Sequence, residues 1–214
     1  KYSLMLQASI YNIDDETADK RINSFAKDLK VDHLLNIPVR KLSLGERMKF
    51  EIIASLLHNP KVIFLDEPTI GLDLLAREQM IKFLRQVNET EKTTILLTTH
   101  NMDDIEELCT RIIMIDDGKK IYDGSLEKLK DQYANWKRIT IDYTKKKPNK
   151  NTKKLEILEE DDNFLVLKCP NTILKETIDY VLESFEIVDL QIEEPDLKEI
   201  VKKIYVDGYV DTKK

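Results

Sequence analysis

Four short stretches of this chain hold the residues able to do chemistry together. Residues 61–67 read Lys-Val-Ile-Phe-Leu-Asp-Glu, an apolar run of strand length that ends in two adjacent carboxylates. At the carboxyl edge of a parallel sheet, where open α/β folds bind their ligands, Asp66 suits the hold on a magnesium ion. Glu67 suits the orientation and polarisation of a water attacking a terminal phosphate in line. Neighbouring residues on a strand point to opposite faces, so the pair can share one task only if the chain turns there. The plainer alternative is that Glu67-Pro68 simply starts a loop. Ser43-Leu44-Gly45-Glu46 opens a helix and offers a hydroxyl, backbone N–H groups and a positive helix end, which together suit an anion. Ordinary capping needs the same residues. Gly71-Leu72-Asp73 follows Pro68-Thr69, and His100 follows Thr98-Thr99 at a strand end, where an imidazole can donate to a phosphate oxygen. His33 and His58 have no such setting and read as structural or exposed.

The elements that must position these residues are legible as periodicity. Leu4, Leu6 and Ile10, then Ile22, Phe25, Ala26 and Leu29, recur at helical spacing and predict helices over 3–12 and 15–35. A third helix is expected from an N-cap at Ser43 to Asn59-Pro60, where the proline forces the chain out of helical geometry. Lys61–Asp66 suits a strand buried on both faces, as in a parallel sheet. A helix over 74–90, a strand Thr93–Thr99, a helix over 102–109 and a strand Ile112–Ile115 follow. Asp116-Asp117-Gly118-Lys119 signals a hairpin into Lys120–Tyr122, and Ser125 caps a helix running towards Trp136. Strands alternating with helices imply an α/β layer architecture.

Beyond Trp136 the character changes. Ile139–Tyr143 alternates as a half-buried strand, and residues 145–154 carry six lysines, read as a solvated loop. Leu155–Glu159 and Phe164–Lys168 look like a hairpin, Ile173–Phe185 like an amphipathic helix, Val188–Ile192 like a strand and Pro195–Ile204 like a last helix. These form a small α+β domain over 137–214. A formal net charge of -6, with basic and acidic residues interspersed, gives no electrostatic case for nucleic acid. No apolar run reaches the ~20 residues of a membrane-spanning helix. Cys109 and Cys169 are far apart in sequence and read as structural thiols of a reducing compartment.

In order, LSLGE, LDEPTIGLD and LLTTH resemble the signature motif, Walker B strand, D-loop and H-loop of ATP-binding-cassette (ABC) ATPases, with Glu67 24 residues after Ser43 and His100 33 after Glu67. The resemblance covers about residues 1–135 and is nearest to ATP-binding subunits of bacterial drug-resistance and sodium-efflux transporters; QIEEPDLKEIVKKIY points the same way. It implies an incomplete P-loop ATPase core over 1–136, with a helical subdomain over about 1–59 and a catalytic core over about 60–136, then the accessory domain. It implies ATP and Mg2+ as ligands, Asp66 at the metal, Glu67 as catalytic base and His100 sensing the transferring phosphate. Ser43, Leu44, Gly45 and Glu46 would meet ATP held by a second subunit in a head-to-tail dimer, with Asp73 at that interface. A transmembrane permease partner follows, placing the chain at the cytoplasmic face of a membrane. The alternatives are a non-transport ABC protein acting on ribosomes or nucleic acid, and a degenerate regulatory binding module.

Two departures matter. Leu44 and Glu46 stand where many relatives have glycine and glutamine; Leu44 is expected to point into the helical subdomain, and Glu46 to face away from nucleotide or pair with Arg47 or Lys49. No Gly-x-x-x-x-Gly-Lys-Ser/Thr phosphate loop can be built from glycines 45, 71, 118, 124 and 208, and Gln7 sits inside a helical pattern, unlike a Q-loop glutamine. The expectation is a fragment lacking the N-terminal Walker A portion, unable to bind or hydrolyse ATP by itself and either exposing apolar surface or recruiting another chain to cover it.

Overall fold

Side-chain caps set where the helices begin. In the computed structural model, which describes residues 1–146 and 156–207, Asp14 accepts a hydrogen bond from Thr17 N and starts α2 (Asp15–Asp28) behind α1 (Tyr2–Ile10). Ser43 caps α3 (Leu44–Leu56) and Asp73 caps α4 (Leu74–Glu91). The second helix stops at Asp28, short of the expected 35, because Lys30 takes a left-handed φ of 54°; two short 3₁₀ turns then lead to Ser43.

The chain forms two compact units, Lys1–Leu108 and Cys109–Lys214. In the first, β1 (Val62–Asp66) and β2 (Thr94–Thr98) pair in parallel, joined by α4 and followed by α5 (Met102–Leu108). The apolar stripes of the helices meet in a core that includes Ile22, Leu29, Ile53, Leu56, Met80 and Leu84, all fully buried. Phe25 and Phe83 pack edge to face with ring centroids 5.4 Å apart.

The expectation of a strand buried on both faces is corrected. Ile63 is 6% exposed, yet Val62 is 49% and Phe64 75% exposed, and Leu96 beside them is 50%. The described sheet has two strands, and the helical core covers the Ile63 face alone. A continuously apolar run therefore presents one face of the pleat to solvent, as the expected apolar exposure required.

In the second unit, β3 (Arg111–Asp116) and β4 (Lys119–Ser125) form the expected hairpin. Asp117 and Gly118 both have positive φ, 46° and 72°, which a tight two-residue hairpin turn demands. Ser125 caps α6 (Leu126–Tyr133), after which Trp136 begins β5 (Trp136–Lys146). With β6 (Glu156–Asp161), β7 (Phe164–Pro170) and β8 (Phe185–Glu193) it makes a four-stranded antiparallel sheet in the order β6-β7-β5-β8. Helix α7 (Leu174–Ser184) lays Val181 against Ile139, Ile141, Leu165 and Leu167; α8 (Leu197–Asp207) ends the described chain. Most of the lysine-rich stretch, from Lys147 on, and Leu155 lie outside the described residues. Among the described residues no helix is long and apolar enough to cross a membrane.

Core and turn make different demands. Ile53 is 0% exposed, so Ile53→Ala is expected to cost about 2–5 kcal/mol through lost contacts and a cavity. A Cβ on Gly118 meets nothing within 4 Å, so Gly118→Ala carries only the left-handed backbone penalty, about 1–2 kcal/mol. Urea denaturation followed by far-UV circular dichroism measures both; an Ile53→Ala loss no larger than that of Gly118→Ala contradicts this account of the core.

Candidate active site

Parallel pairing brings the ends of β1 and β2 side by side, with Asp66 opposite Thr98. The Thr98 hydroxyl donates to Asp66 Oδ1 and accepts from Glu67 N at 3.2 Å, while Glu67 N also donates to the Thr98 carbonyl at 3.1 Å. One threonine thus fixes both carboxylate-bearing residues. Sequence reading passed over Thr98; its only signal was a hydroxyl at the last position of the neighbouring strand.

The chain does turn at the acidic pair. Glu67 has a φ of 48°, and its carbonyl accepts from Ile70 N at 3.1 Å. A left-handed glutamate before a proline is strained, at a typical cost of about 1–3 kcal/mol, and such strain persists only where surrounding contacts over-determine it. The turn releases Glu67 from the strand's alternation, and its Oε1 lies 2.8 Å from His100 Nδ1. Asp66, Glu67 and His100 are therefore one group.

Ser43, Leu44, Gly45 and Glu46 form a second group at the mouth of α3. Ser43 and Glu46 make a capping box: Glu46 N donates to Ser43 Oγ at 3.2 Å, and Glu46 Oε2 accepts from Ser43 N at 2.8 Å and from Ser43 Oγ at 2.9 Å. The expected partners Arg47 and Lys49 are thus corrected to Ser43, because a glutamate three residues after a serine N-cap folds back onto it. The Ser43 N–H and hydroxyl hold the Glu46 carboxyl below its ordinary range. Lys49 instead turns inwards, its Nζ donating to Leu29 O at 3.1 Å and Gln79 Oε1 at 3.3 Å. Burial pushes its ammonium down, and the charges of Asp73 and Glu46 pull it up.

Leu44 is 58% exposed rather than turned into the helical core; at the first helical position its side chain lies over the chain before the helix. It borders Gly71, where a Cβ would stand 3.3 Å from Leu44 Cδ2 and where φ is +71°. Gly45 packs still closer to that turn: a Cβ there would meet Leu72 Cδ2 at 2.7 Å. Asp73 spends its carboxylate on Ala76 N at 2.8 Å as the cap of α4. The structure thus joins the helix mouth to the Gly71-Leu72-Asp73 turn. Of the other histidines, His33 is exposed and His58 stacks on Tyr11 with centroids 3.9 Å apart.

The Glu67 contact, by hydrogen bond and then by charge, raises His100 above the ordinary 6.5. The protonated ring is the donor, so any stabilisation from the contact is complete below the unfolded imidazole value and is lost as pH rises through the higher folded value. An NMR titration of His100 should have its midpoint above 6.5, and Glu67→Gln should bring it back down. A parent midpoint at or below the ordinary value would contradict the geometry.

The chain is similar to known proteins over part of its length. Residues 4–103, just under half the chain, match the family described as "AAA domain, putative AbiEii toxin, Type IV TA system". The ABC transporter ATP-binding protein NatA of Bacillus subtilis is 34% identical over 129 residues, 60% of this chain and 52% of that protein. An uncharacterised ABC transporter ATP-binding protein of Methanocaldococcus jannaschii is 29% identical over 169 residues, 79% of this chain and 61% of that protein. Among solved structures, one of the ATP binding subunit of an ABC transporter superposes with a TM-score of 0.53 at 26% identity, over 61% of this chain and 54% of that one. The chain therefore spans about half to three-fifths of each of these three proteins. Its α/β fold, a partial parallel sheet with helices, is that of the cassette structures. Over about 60% of its length this chain is a homologue of the ATP-binding subunits of ABC transporters.

Proposed function

We propose that the protein is the ATP-hydrolysing, energy-coupling subunit of an ABC membrane transporter. The observation that carries this reading is the 2.8 Å contact between Glu67 and His100 at the shared end of two parallel strands, on a backbone strained at Glu67. Asp66 would hold magnesium. The ion takes one or two protein carboxylates and completes its shell with phosphate oxygens and water, so an exposed aspartate at a strand end fits. When bound, the metal neutralises charge on the phosphates.

Glu67 accepts the proton of the attacking water, and its contact with His100 aims the carboxylate. His100, largely exposed beside it, donates to a phosphate oxygen as its imidazolium. Ser43 and Gly45 serve ATP held by a second subunit in a head-to-tail dimer, with Leu44 and Glu46 at the same helix mouth and Asp73 at the interface between subunits. A transmembrane permease carries the cargo and holds this subunit at the cytoplasmic face. The accessory domain begins at about 137 in this reading.

Residues 1–214 alone do not hold ATP in this reading, since the sequence has no phosphate-cradling glycine loop. Calorimetry of this chain with magnesium-ATP should show no binding in the micromolar range, and micromolar binding would overturn that part. In the complete protein Glu67→Gln should slow hydrolysis by roughly 10²–10⁴ with ATP binding nearly unchanged. Turnover within tenfold of the parent would remove Glu67 from its role.

A further inference from the structure

We propose that Asp104 is a positioning residue that ties the loops bearing Glu67 and His100 to helix α4 and so sets the geometry of their contact. The inference rests on the proposed roles of Glu67 and His100. Asp104 lies in α5, 1% exposed, and one carboxylate serves three segments. Its Oδ2 accepts from the Thr69 hydroxyl and, at 3.3 Å, from the Thr99 hydroxyl. Its Oδ1 accepts from Arg77 Nε at 2.6 Å.

Each partner is informative by its place in the chain. Thr69 is buried and stands two residues after Glu67; Thr99 immediately precedes His100. Arg77 is one turn into α4, its amide donating to the carbonyl of the cap residue Asp73 at 2.9 Å. The guanidinium also reaches Glu107 at 3.3 Å. A buried ion pair is poor evidence for stability, because desolvation offsets much of its attraction. Its yield here is placement: the carboxylate is fixed by Arg77, and the two hydroxyls hang their loops from it.

Both loops need such a tether. Glu67 occupies a left-handed backbone that the surroundings must enforce: Thr98 holds it from upstream and Thr69, through Asp104, from downstream. The His100 side chain is 76% exposed, so packing does little to hold it. The hold comes from its neighbour Thr99, whose hydroxyl bonds Asp104 and accepts from Asn101 N at 3.0 Å. Removing Asp104 itself would strand Arg77, so the hydroxyls are the better place to cut.

The test is steady-state ATP hydrolysis by the complete protein carrying Thr69→Val and Thr99→Val together, which leaves the Arg77–Asp104 pair intact. The expected result is a kcat lowered about tenfold or more, the scale of a small misplacement of reacting groups, with KM for ATP within twofold of the parent. The serine pair, Thr69→Ser with Thr99→Ser, keeps both hydroxyls and should restore at least half the lost turnover. If the valine pair does not fold, Thr99→Val alone should shift kcat and KM in the same pattern. A valine pair as active as the parent, a change confined to KM, or a serine pair as impaired as the valine pair overturns the inference. Glu67→Gln run alongside separates the two failures. If Glu67→Gln is inactive and the valine pair active, only the tether is wrong; if Glu67→Gln is active, the catalytic reading falls and the tether's role with it.

Discussion

The site depends on one register, the parallel pairing that sets Asp66 opposite Thr98. Parallel strands leave the sheet at the same end, which is why two loops separated by a whole helix can meet. A slip of one residue would turn the Thr98 hydroxyl to the other face and away from Asp66. The register is held at both ends. At the start, Thr94 N donates to Lys61 O at 2.8 Å and the Thr93 hydroxyl to Pro60 O at 2.9 Å. Asn88, near the end of α4, donates to Thr93 O at 2.8 Å and ties the crossover helix to the same point. At the far end Glu67 N closes on the Thr98 carbonyl.

Local chemistry made much of this legible in advance. Ser43 reads as an N-cap and Asp117-Gly118 as a tight hairpin turn, because each rule acts within four residues, although the return bond from Glu46 to Ser43, just as local, went unread. The order of strands and helices was equally open to reading, since the apolar period of each run survives into the fold. Burial was not. Phe64 and Val62 look like core residues in sequence, and whether they are covered depends on what packs against their face, which no local pattern encodes.

The missed contacts share that cause. Thr98, Asp104, Arg77 and Lys49 are polar residues of ordinary appearance whose partners, Thr99 beside Asp104 excepted, lie 20 to 35 residues away along the chain. Lys49 drew notice only as a possible partner for Glu46. In the fold its ammonium is buried between Leu29 O on the end of α2 and Gln79 on α4, and it holds α3 to both. Periodicity would have marked position 49 for an apolar residue or for none. A buried lysine is tolerated there because two acceptors meet it, and those acceptors are visible only once the helices are packed.

The two halves of the candidate site differ in how far they are already satisfied. Glu67 and His100 meet each other at the surface and keep outward directions in which to meet something else. The α3 mouth has closed on itself: the Ser43 hydroxyl, which could donate to an anion, donates to Glu46. A helix N-terminus attracts a negative group through its free N–H donors and the aligned peptide dipoles, and here the chain supplies its own carboxylate. A glutamine at that position could keep the reciprocal bonds without the charge. Glu46 therefore places a negative group beside the spot assigned to the phosphate, and the attraction left for an incoming anion rests on the backbone N–H groups of Leu44 and Gly45. The close contact of Gly45 with Leu72 bears on the same point, because it holds those amides against a turn fixed by Gly71 and Asp73. What remains of the anion site is a matter of backbone placement more than of side-chain charge.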